Sequence, residues 1–127
     1  MSMEGVITMS SILNDIKESV GLDPNYSPPA FQTQIIMAIN TAFMELNQFG
    51  VGPKKGFVLL NESQDWSEFL VEEEIQLEGA KTYIKLRTQL LFDPPSNSFL
   101  VEAIKDQIRE LQFRLQIQVE EGGILDE

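Results

Sequence analysis

The sequence predicts an all-α fold: a compact bundle of four to five helices centred on a helical hairpin over residues 79–121. Two observations predict it. In the second half of the hairpin, apolar residues recur at helical spacing within an arc of about 100°, the width of a core-facing stripe. They are Leu100, Val101, Ile104, Ile108, Leu111 and Leu115. Asp93-Pro94-Pro95 interrupts the pattern, because a residue before proline is pushed out of the α region. Ser96-Asn97-Ser98 then offers three possible N-caps, so one helix should end near Phe92 and the next begin near Ser98.

Length and charge set the class of protein. At 127 residues and 43% hydrophobic side chains, the chain can form one domain with a buried core. We expect that domain at residues 10–119, between a flexible extension at 1–9 and a flexible acidic tail at 120–127. Nine basic against 20 acidic residues give a formal net charge of −11, which argues against tight binding to nucleic acid. Alternatively, the acidic surplus only keeps a small protein in solution.

The composition excludes most site chemistry. Without histidine or cysteine, the sequence cannot build a Ser-His or Cys-His nucleophile, a disulfide or a zinc site of the usual ligands. The glycines match neither the P-loop nor the dinucleotide-binding pattern. There is also no run of about 18 apolar residues and no signal peptide. We therefore expect a non-enzymatic, soluble cytoplasmic protein with no cofactor, no metal and no membrane association.

The first helix is predicted from Ile12 to Val20. Ser10 and Ser11 are its candidate caps, and Gly21 is placed to end it.

The second helix is predicted to follow a loop at 23–30. Ser27-Pro28-Pro29 can begin it, since proline is tolerated in a first helical turn, and it should run to about Gln48 with Gly50 as its stop. One broad side is apolar and should face the core: Ile35, Ile36, Ala38, Ile39, Ala42, Phe43, Leu46 and Phe49.

The opposite side of the second helix is unusually neutral for a solvated surface. It carries Thr33, Gln34, Met37, Asn40, Thr41, Met44, Asn47 and Gln48, with Glu45 near its edge. Met37 and Met44 lie on one line, and a neutral polar face with a methionine pair suits burial against another subunit. Alternatively, the methionines are tolerated on a free surface, or the chain's own loops cover this face.

Residues 50–61 are predicted to form a projecting Gly/Pro/Lys loop anchored by Phe57 and Leu59. Lys54 and Lys55 hold two of only nine basic residues, so they are candidate contacts for an acidic partner or a phosphate. Alternatively, the two lysines are simply solvated. Ser63 or Asp65 can cap a short helical turn through Trp66, Phe69 and Leu70, and we expect Trp66 in the core or at its rim.

The third helix is predicted from about Ile75 to Leu91, with Arg87 in the middle of its apolar side. The apolar residues of that side are Leu77, Ala80, Tyr83, Ile84, Leu86, Leu90 and Leu91. A guanidinium there must reach solvent or find a carboxylate. Arg87 either pairs with an acid of its own chain or is a candidate contact for a carboxylate of a neighbouring subunit.

The last helix carries a second apolar line. Phe99, Phe113 and Ile117 lie roughly opposite its core stripe, among acidic residues, and aligned exposed aromatics indicate a partner. In the tail, Ile124 and Leu125 follow a Gly-Gly hinge and are candidates for docking on another protein, unless the tail is disordered.

Two stretches carry a resemblance to a known family: FQTQIIMAINTAFMELNQFGVGPKKGF and LRTQLLFDPPSNSFLVEAIKDQIRELQFRL. Most of residues 11–119 resembles the small head-tail connector proteins of long-tailed bacteriophages and prophages, also called adaptor or head-completion proteins. The matching features are packing and turn patterns, without chemistry.

The resemblance implies a structural subunit that works in the host cytoplasm during assembly and at the virion head-tail interface. It implies a ring of copies, commonly twelvefold, beneath the portal protein of the filled head. Such a ring extends the DNA channel without binding DNA specifically and offers a site to a stopper or tail-completion protein.

Two other functions fit the composition less closely. One is a small helical adaptor, unrelated to virions, that binds a partner helix in a groove. The other is a nucleic-acid-binding regulator, which the charge and the lack of a basic recognition helix disfavour. Solution size separates a connector from an adaptor, because a connector should form large cyclic species at high concentration.

Overall fold

The computed structural model describes residues 11–23, 25, 28–70 and 74–125, with side chains described except at 74–76 and 122–125. Four α-helices account for most of this: α1 (Ile12–Ser19), α2 (Pro29–Gln48), α3 (Glu74–Phe92) and α4 (Ser98–Leu125). A 3-10 turn, Trp66–Glu68, lies between α2 and α3. The described residues form no β-strand, and one isolated antiparallel bridge pairs Ser11 with Asp65. The all-α prediction is confirmed. The predicted extension at residues 1–9 lies outside the described residues.

The ends of α1 and α2 follow the predicted capping residues. The Ser11 hydroxyl accepts a hydrogen bond from the Asn14 amide at 3.3 Å. Gly21 and Gly50 take positive φ angles of 86° and 88°, the left-handed conformation that closes a helix. In each case the next residue donates its amide back into the last turn; the Val51 amide reaches the Leu46 carbonyl at 2.9 Å.

The hairpin of α3 and α4 is formed as predicted. Of the three candidate caps Asn97 is the one used, since its side-chain oxygen accepts from the Phe99 amide at 2.7 Å. The two helices approach closely at Gly79, where an added Cβ would lie 3.2 Å from a methyl group of Leu115. Helix α3 packs mainly between α2 and α4 and also touches α1.

The core lies where α1, α2, the 51–70 segment, α3 and α4 meet. Trp66 is fully buried, and its indole N–H donates to Asp15 on α1 at 2.7 Å. Beside it, Phe43, Phe57 and Phe69 pack ring against ring. The apolar side chains of the core include Ile12, Leu13, Ile16, Ile35, Ile39, Phe43, Leu46, Leu59, Trp66, Tyr83, Ile84, Ile108 and Leu115.

The Gly/Pro/Lys loop is anchored by the two predicted residues. Leu59 is buried and Phe57 packs against Phe43. Asn40 of α2 also holds the Leu59 backbone from both sides, accepting its amide at 2.7 Å and donating to its carbonyl at 3.0 Å. At the other end, the Asn47 amide group donates to the Pro53 carbonyl at 3.2 Å. The loop is therefore tied to α2 at both ends.

Two residues that were predicted to face the core are exposed. Leu100 of the α4 stripe is 54% exposed, and Leu91 of the apolar side of α3 is also exposed, although both have the correct helical phase. They lie at the turn end of the hairpin, where no further described element covers them. Leu111 is only partly buried.

The carboxyl end of α4 also differs from the prediction. The helix continues through Gly122 and Gly123 to Leu125, so no hinge interrupts the backbone there. Glycine weakens a helix by about 1 kcal/mol relative to alanine but does not remove a hydrogen-bond donor as proline does. Residues 126–127 lie outside the described part of the chain.

Ile108→Ala should lower the free energy of unfolding by about 2–4 kcal/mol, because a nearly buried side chain leaves a cavity between α3 and α4. Leu100→Ala, in the first turn of the same helix, should lower it by less than about 1 kcal/mol because that side chain is already exposed. Urea denaturation of both variants measures the difference. Equal losses at the two positions would contradict the assigned packing of α4.

Candidate interaction surfaces

The outer face of α2 carries the two predicted methionines in the open. Met37 is 64% exposed and Met44 is 59% exposed, one above the other along the helix. Two polar residues of the same face hold the 51–60 loop: Asn40 lies between the methionines and Asn47 follows Met44. These two amides therefore have partners in the chain's own loop, in line with the alternative that loops cover this face, while the methionines remain exposed.

A shallow apolar groove opens beside Met37. It has a volume of about 280 Å³ and runs between α2 and the end of α3. Leu91 and Phe92 form its far wall, and Phe31 packs edge-on against Phe92 with ring centroids 6.0 Å apart. The methionine line and this groove together give α2 an apolar surface that the described chain leaves uncovered.

The outer face of α4 carries the second predicted surface. Phe113 is 62% exposed and Phe99 is more exposed still, whereas Ile117 is half-buried. Around Phe113 the charges neutralise one another along the helix, since Arg114 pairs with Glu110 at 2.8 Å and Arg109 pairs with Asp106. The face therefore presents aromatic rings among locally compensated charges.

Lys54 and Lys55 lie at the tip of a fixed turn. The Gly56 amide donates to the Pro53 carbonyl at 2.9 Å, which closes a four-residue turn with the two lysines at its centre. Asn47 binds the Pro53 carbonyl and so ties the turn to α2. Both lysines are exposed, and neither forms an ion pair with any described residue.

Arg87 has a partner within its own chain. Its Nε and Nη2 atoms donate to the two carboxylate oxygens of Glu45 on α2, at 2.9 and 2.8 Å. The Tyr83 hydroxyl donates to the same carboxylate at 2.7 Å. Of the two interpretations of Arg87, the in-chain pair is the one present, and it ties α2 to α3. A contact from Arg87 to a neighbouring subunit stays a prediction.

The electrostatics of this triad favour the charged pair. Burial alone would raise the pKa of Glu45, but hydrogen bonds from Arg87 and Tyr83 and the Arg87 charge lower it below its ordinary value. The hydrogen bond to Glu45 raises the pKa of Arg87. Burial, followed by the Glu45 carboxylate, raises the pKa of Tyr83, so the phenol stays protonated as a donor.

A wider groove lies directly over this triad. It has a volume of about 400 Å³ and is walled by α2, α3 and α4. Its lining combines the aromatic rings of Phe49 and Tyr83 with Arg87 and with two cations of α4, Lys105 and Arg109. This groove brings together residues that are distant in the sequence.

Sequence reasoning missed two features of these surfaces. Glu45 was noted only as the single charge beside a neutral face, although the one acid of α2 and a base on the apolar side of α3 are natural partners. Lys17 was not noted at all, yet it is buried and its ammonium donates to Gln32 at 2.6 Å, joining α1 to α2. The side chains of the candidate docking residues Ile124 and Leu125 lie outside the described part of the structure.

Other kinds of site find little support in the geometry. Within the described residues, no three acidic side chains are grouped to hold a metal ion. None of the described helices combines the length and apolar character that a membrane span requires.

Comparison with known proteins gives one match. A family model described as phage connector protein matches residues 12–122, which covers all four helices up to the last turn of α4. No curated protein and no solved structure matches the chain significantly.

Glu45→Gln should lower the free energy of unfolding at neutral pH by about 1–3 kcal/mol, because it weakens the charge-assisted hydrogen bonds that the carboxylate accepts from Arg87 and Tyr83. The parent protein should lose this contribution on acidification. A carboxylate whose pKa is lowered by folding stabilises the fold above its unfolded pKa, 4.5, and stops doing so as the pH falls through its folded pKa. Urea denaturation between about pH 5 and pH 3 measures the slope.

Glu110→Gln is the matched control, because its pair with Arg114 is largely exposed and should contribute less than about 1 kcal/mol. The unfolding free energy of Glu45→Gln should fall less steeply with acid than that of the parent. Equal slopes would contradict the stabilising role assigned to the Glu45 carboxylate.

Proposed function

Since this chain belongs to the phage connector protein family, we propose that it is a ring-forming subunit of the head-tail connection of a phage particle. Copies of the chain assemble as a ring beneath the portal protein of the filled head, and the family resemblance implies a ring that is commonly twelvefold on the virion. The ring continues the DNA channel and offers its far side to a stopper or tail-completion protein. The work is structural and needs no cofactor.

The observation that carries this proposal is that α2 and α4, which pack on either side of α3, each expose a different apolar face. Met37 and Met44 on α2 are more than half exposed, and so is Phe113 on α4. Helix α3 lies between α2 and α4 and buries their inner sides. A closed ring requires two different patches that meet head to tail, because a self-complementary patch ends at a dimer.

The charge distribution suits a channel for DNA. With a net charge of −11 and nine basic against 20 acidic residues, the chain has few cations to offer to phosphates. Binding to DNA gains its free energy largely by replacing condensed counterions with lysine and arginine. A lumen lined by acidic surface therefore lets DNA pass without holding it.

The Lys54-Lys55 turn is the natural contact for an acidic surface on the portal or stopper. Its two cations are exposed and unpaired within the described chain, and the Asn47 bond to Pro53 keeps them at a fixed place on the subunit. A fixed turn loses less conformational entropy on binding than a free loop.

Met44→Glu and Phe113→Glu should each prevent ring formation and incorporation onto portals. A carboxylate in a neutral apolar contact must be desolvated without a partner, at a cost of several kcal/mol. Both positions are more than half exposed in the single chain, so the helical signal and the thermal midpoint should change little. Sedimentation velocity of the concentrated protein, alone and with portal, reports the assembly.

Thr82→Glu is the control, because it adds the same charge at an exposed position of α3 outside both faces. If Met44→Glu and Phe113→Glu assemble like the parent, these faces are ordinary surface and the subunit contact lies elsewhere.

Raised ionic strength should promote ring formation by the isolated protein. Neighbouring copies that each carry −11 repel one another at low salt, and screening shortens the reach of that repulsion to about 8 Å at 0.15 M. Sedimentation velocity at fixed protein concentration and increasing sodium chloride should show a shift from monomer to a large species. A shift in the opposite direction would mean that attraction between charges drives the contact.

A further inference from the structure

The 400 Å³ groove between α2, α3 and α4 has the character of a binding site for a peptide segment. Its apolar lining comes from Phe49 at the carboxyl end of α2, Tyr83 and Leu90 of α3, and Ile108 of α4. Grooves of about 300–1,000 Å³ with an apolar lining and a few polar groups are the usual form of ligand sites. The space accommodates a few side chains rather than a whole helix.

The groove is also a concentration of positive charge in an acidic protein. Three of the nine basic residues line it, Arg87, Lys105 and Arg109, against a single lining carboxylate, Glu45. Both oxygens of that carboxylate are already bound by Arg87 and Tyr83. Lys105 and Arg109 pair only with exposed acids of their own helix, and exposed pairs of this kind contribute about 0–1 kcal/mol. They can therefore turn to an incoming acid at little cost.

The carboxyl end of the chain has the complementary chemistry. Its sequence from residue 120 is EEGGILDE, with two acids, two glycines, two apolar residues and two further acids. Glu120 and Glu121 are exposed and form no ion pair within the described part of the chain.

We propose that this groove receives the carboxyl-terminal segment, residues 120–127, of a second copy of the chain. Glu120 and Glu121 meet Lys105 and Arg109 at the rim, and Ile124 and Leu125 enter against the apolar lining. The inference rests on the proposed ring in one respect, because the neighbouring subunit is what supplies the segment.

The segment must come from another copy because of the geometry of α4. The groove is bordered by Lys105 to Gln112, and the helix continues past it to Leu125. At a rise of 1.5 Å per residue, Glu120 lies about 12 Å beyond Gln112 along the same helix, and Leu125 about 20 Å beyond it. A helix cannot turn back onto its own side, so the end of α4 is carried away from its own groove and toward a neighbour.

The test measures binding of a fluorescein-labelled peptide of residues 117–127 to the dilute full-length protein by fluorescence anisotropy. The parent should bind saturably. Arg109→Glu should weaken it by about tenfold or more, because one rim attraction becomes a repulsion. Arg114→Glu is the matched control: Arg114 is equally exposed and ion-paired on the same helix but does not line the groove, so the affinity should stay within about twofold.

Exchanging the charges of the peptide and the groove tests whether Glu120 and Glu121 are the residues that meet Arg109. A peptide carrying Glu120→Lys and Glu121→Lys should bind the parent poorly and should regain affinity for the Arg109→Glu protein. Circular dichroism of each protein variant checks that the fold is intact.

The proposal is overturned if Arg109→Glu and Arg114→Glu bind the peptide equally, or if the parent shows no saturable binding at millimolar peptide. Peptide binding by the dilute chain does not require a ring, so the two proposals fail separately. Specific binding without any ring under assembly conditions supports the groove and contradicts the proposed function. Rings that form equally well with Arg109→Glu contradict the groove and leave the proposed function standing.

Discussion

The packing of α3 is the constraint on which the rest of this structure depends. It is the helix against which α2, α4 and α1 all lie, and its small residues Gly79 and Ala80 allow the close approach. A central helix buries the inner sides of its two long neighbours and leaves their outer sides free. The Arg87–Glu45 pair then fixes α2 to α3 at the one place where the apolar side of α3 carries a charge. The packing around α3 thus determines which sides of α2 and α4 remain exposed as interaction surfaces.

The same arrangement explains how an acidic subunit can assemble with itself. Exposed methionine and phenylalanine side chains supply contacts whose strength does not depend on opposite charge, which suits copies that repel one another. Charges within α4 are paired along the helix, so its outer face brings little net charge to a contact. The Lys54-Lys55 turn and the pair Glu120 and Glu121 are exposed and form no ion pair within the described chain, so their charges can select a partner and its orientation.

Most of the fold could be predicted from local signals. Asp93-Pro94-Pro95 and the left-handed glycines Gly21 and Gly50 mark helix ends through steric effects that act within a few residues. Helical periodicity could not decide Leu100, because its burial depends on what covers the turn end of the hairpin rather than on its phase.

Long-range partners could not be read from the sequence for a similar reason. The pairing of Glu45 with Arg87 and the hold of Asn40 on Leu59 join residues 42 and 19 positions apart, and nothing local specifies them. For the same reason the sequence did not show what the neutral face of α2 contacts. Its residues Asn40 and Asn47 hold a loop of the same chain, while Met37 and Met44 stay exposed. The groove over Tyr83 was missed because it exists only once three helices are in place.

The most direct test of head-to-tail assembly uses the absence of cysteine from the chain. A single cysteine is placed at Met44 or at Phe113, or both are replaced together, and the concentrated protein is treated with a short bismaleimide and analysed by denaturing gel. If the α2 face of one copy meets the α4 face of the next, only Met44→Cys/Phe113→Cys gives a ladder of covalent oligomers that ends at the ring size. Covalent dimers from either single variant, with no ladder from the double variant, would show a two-fold contact and contradict the ring.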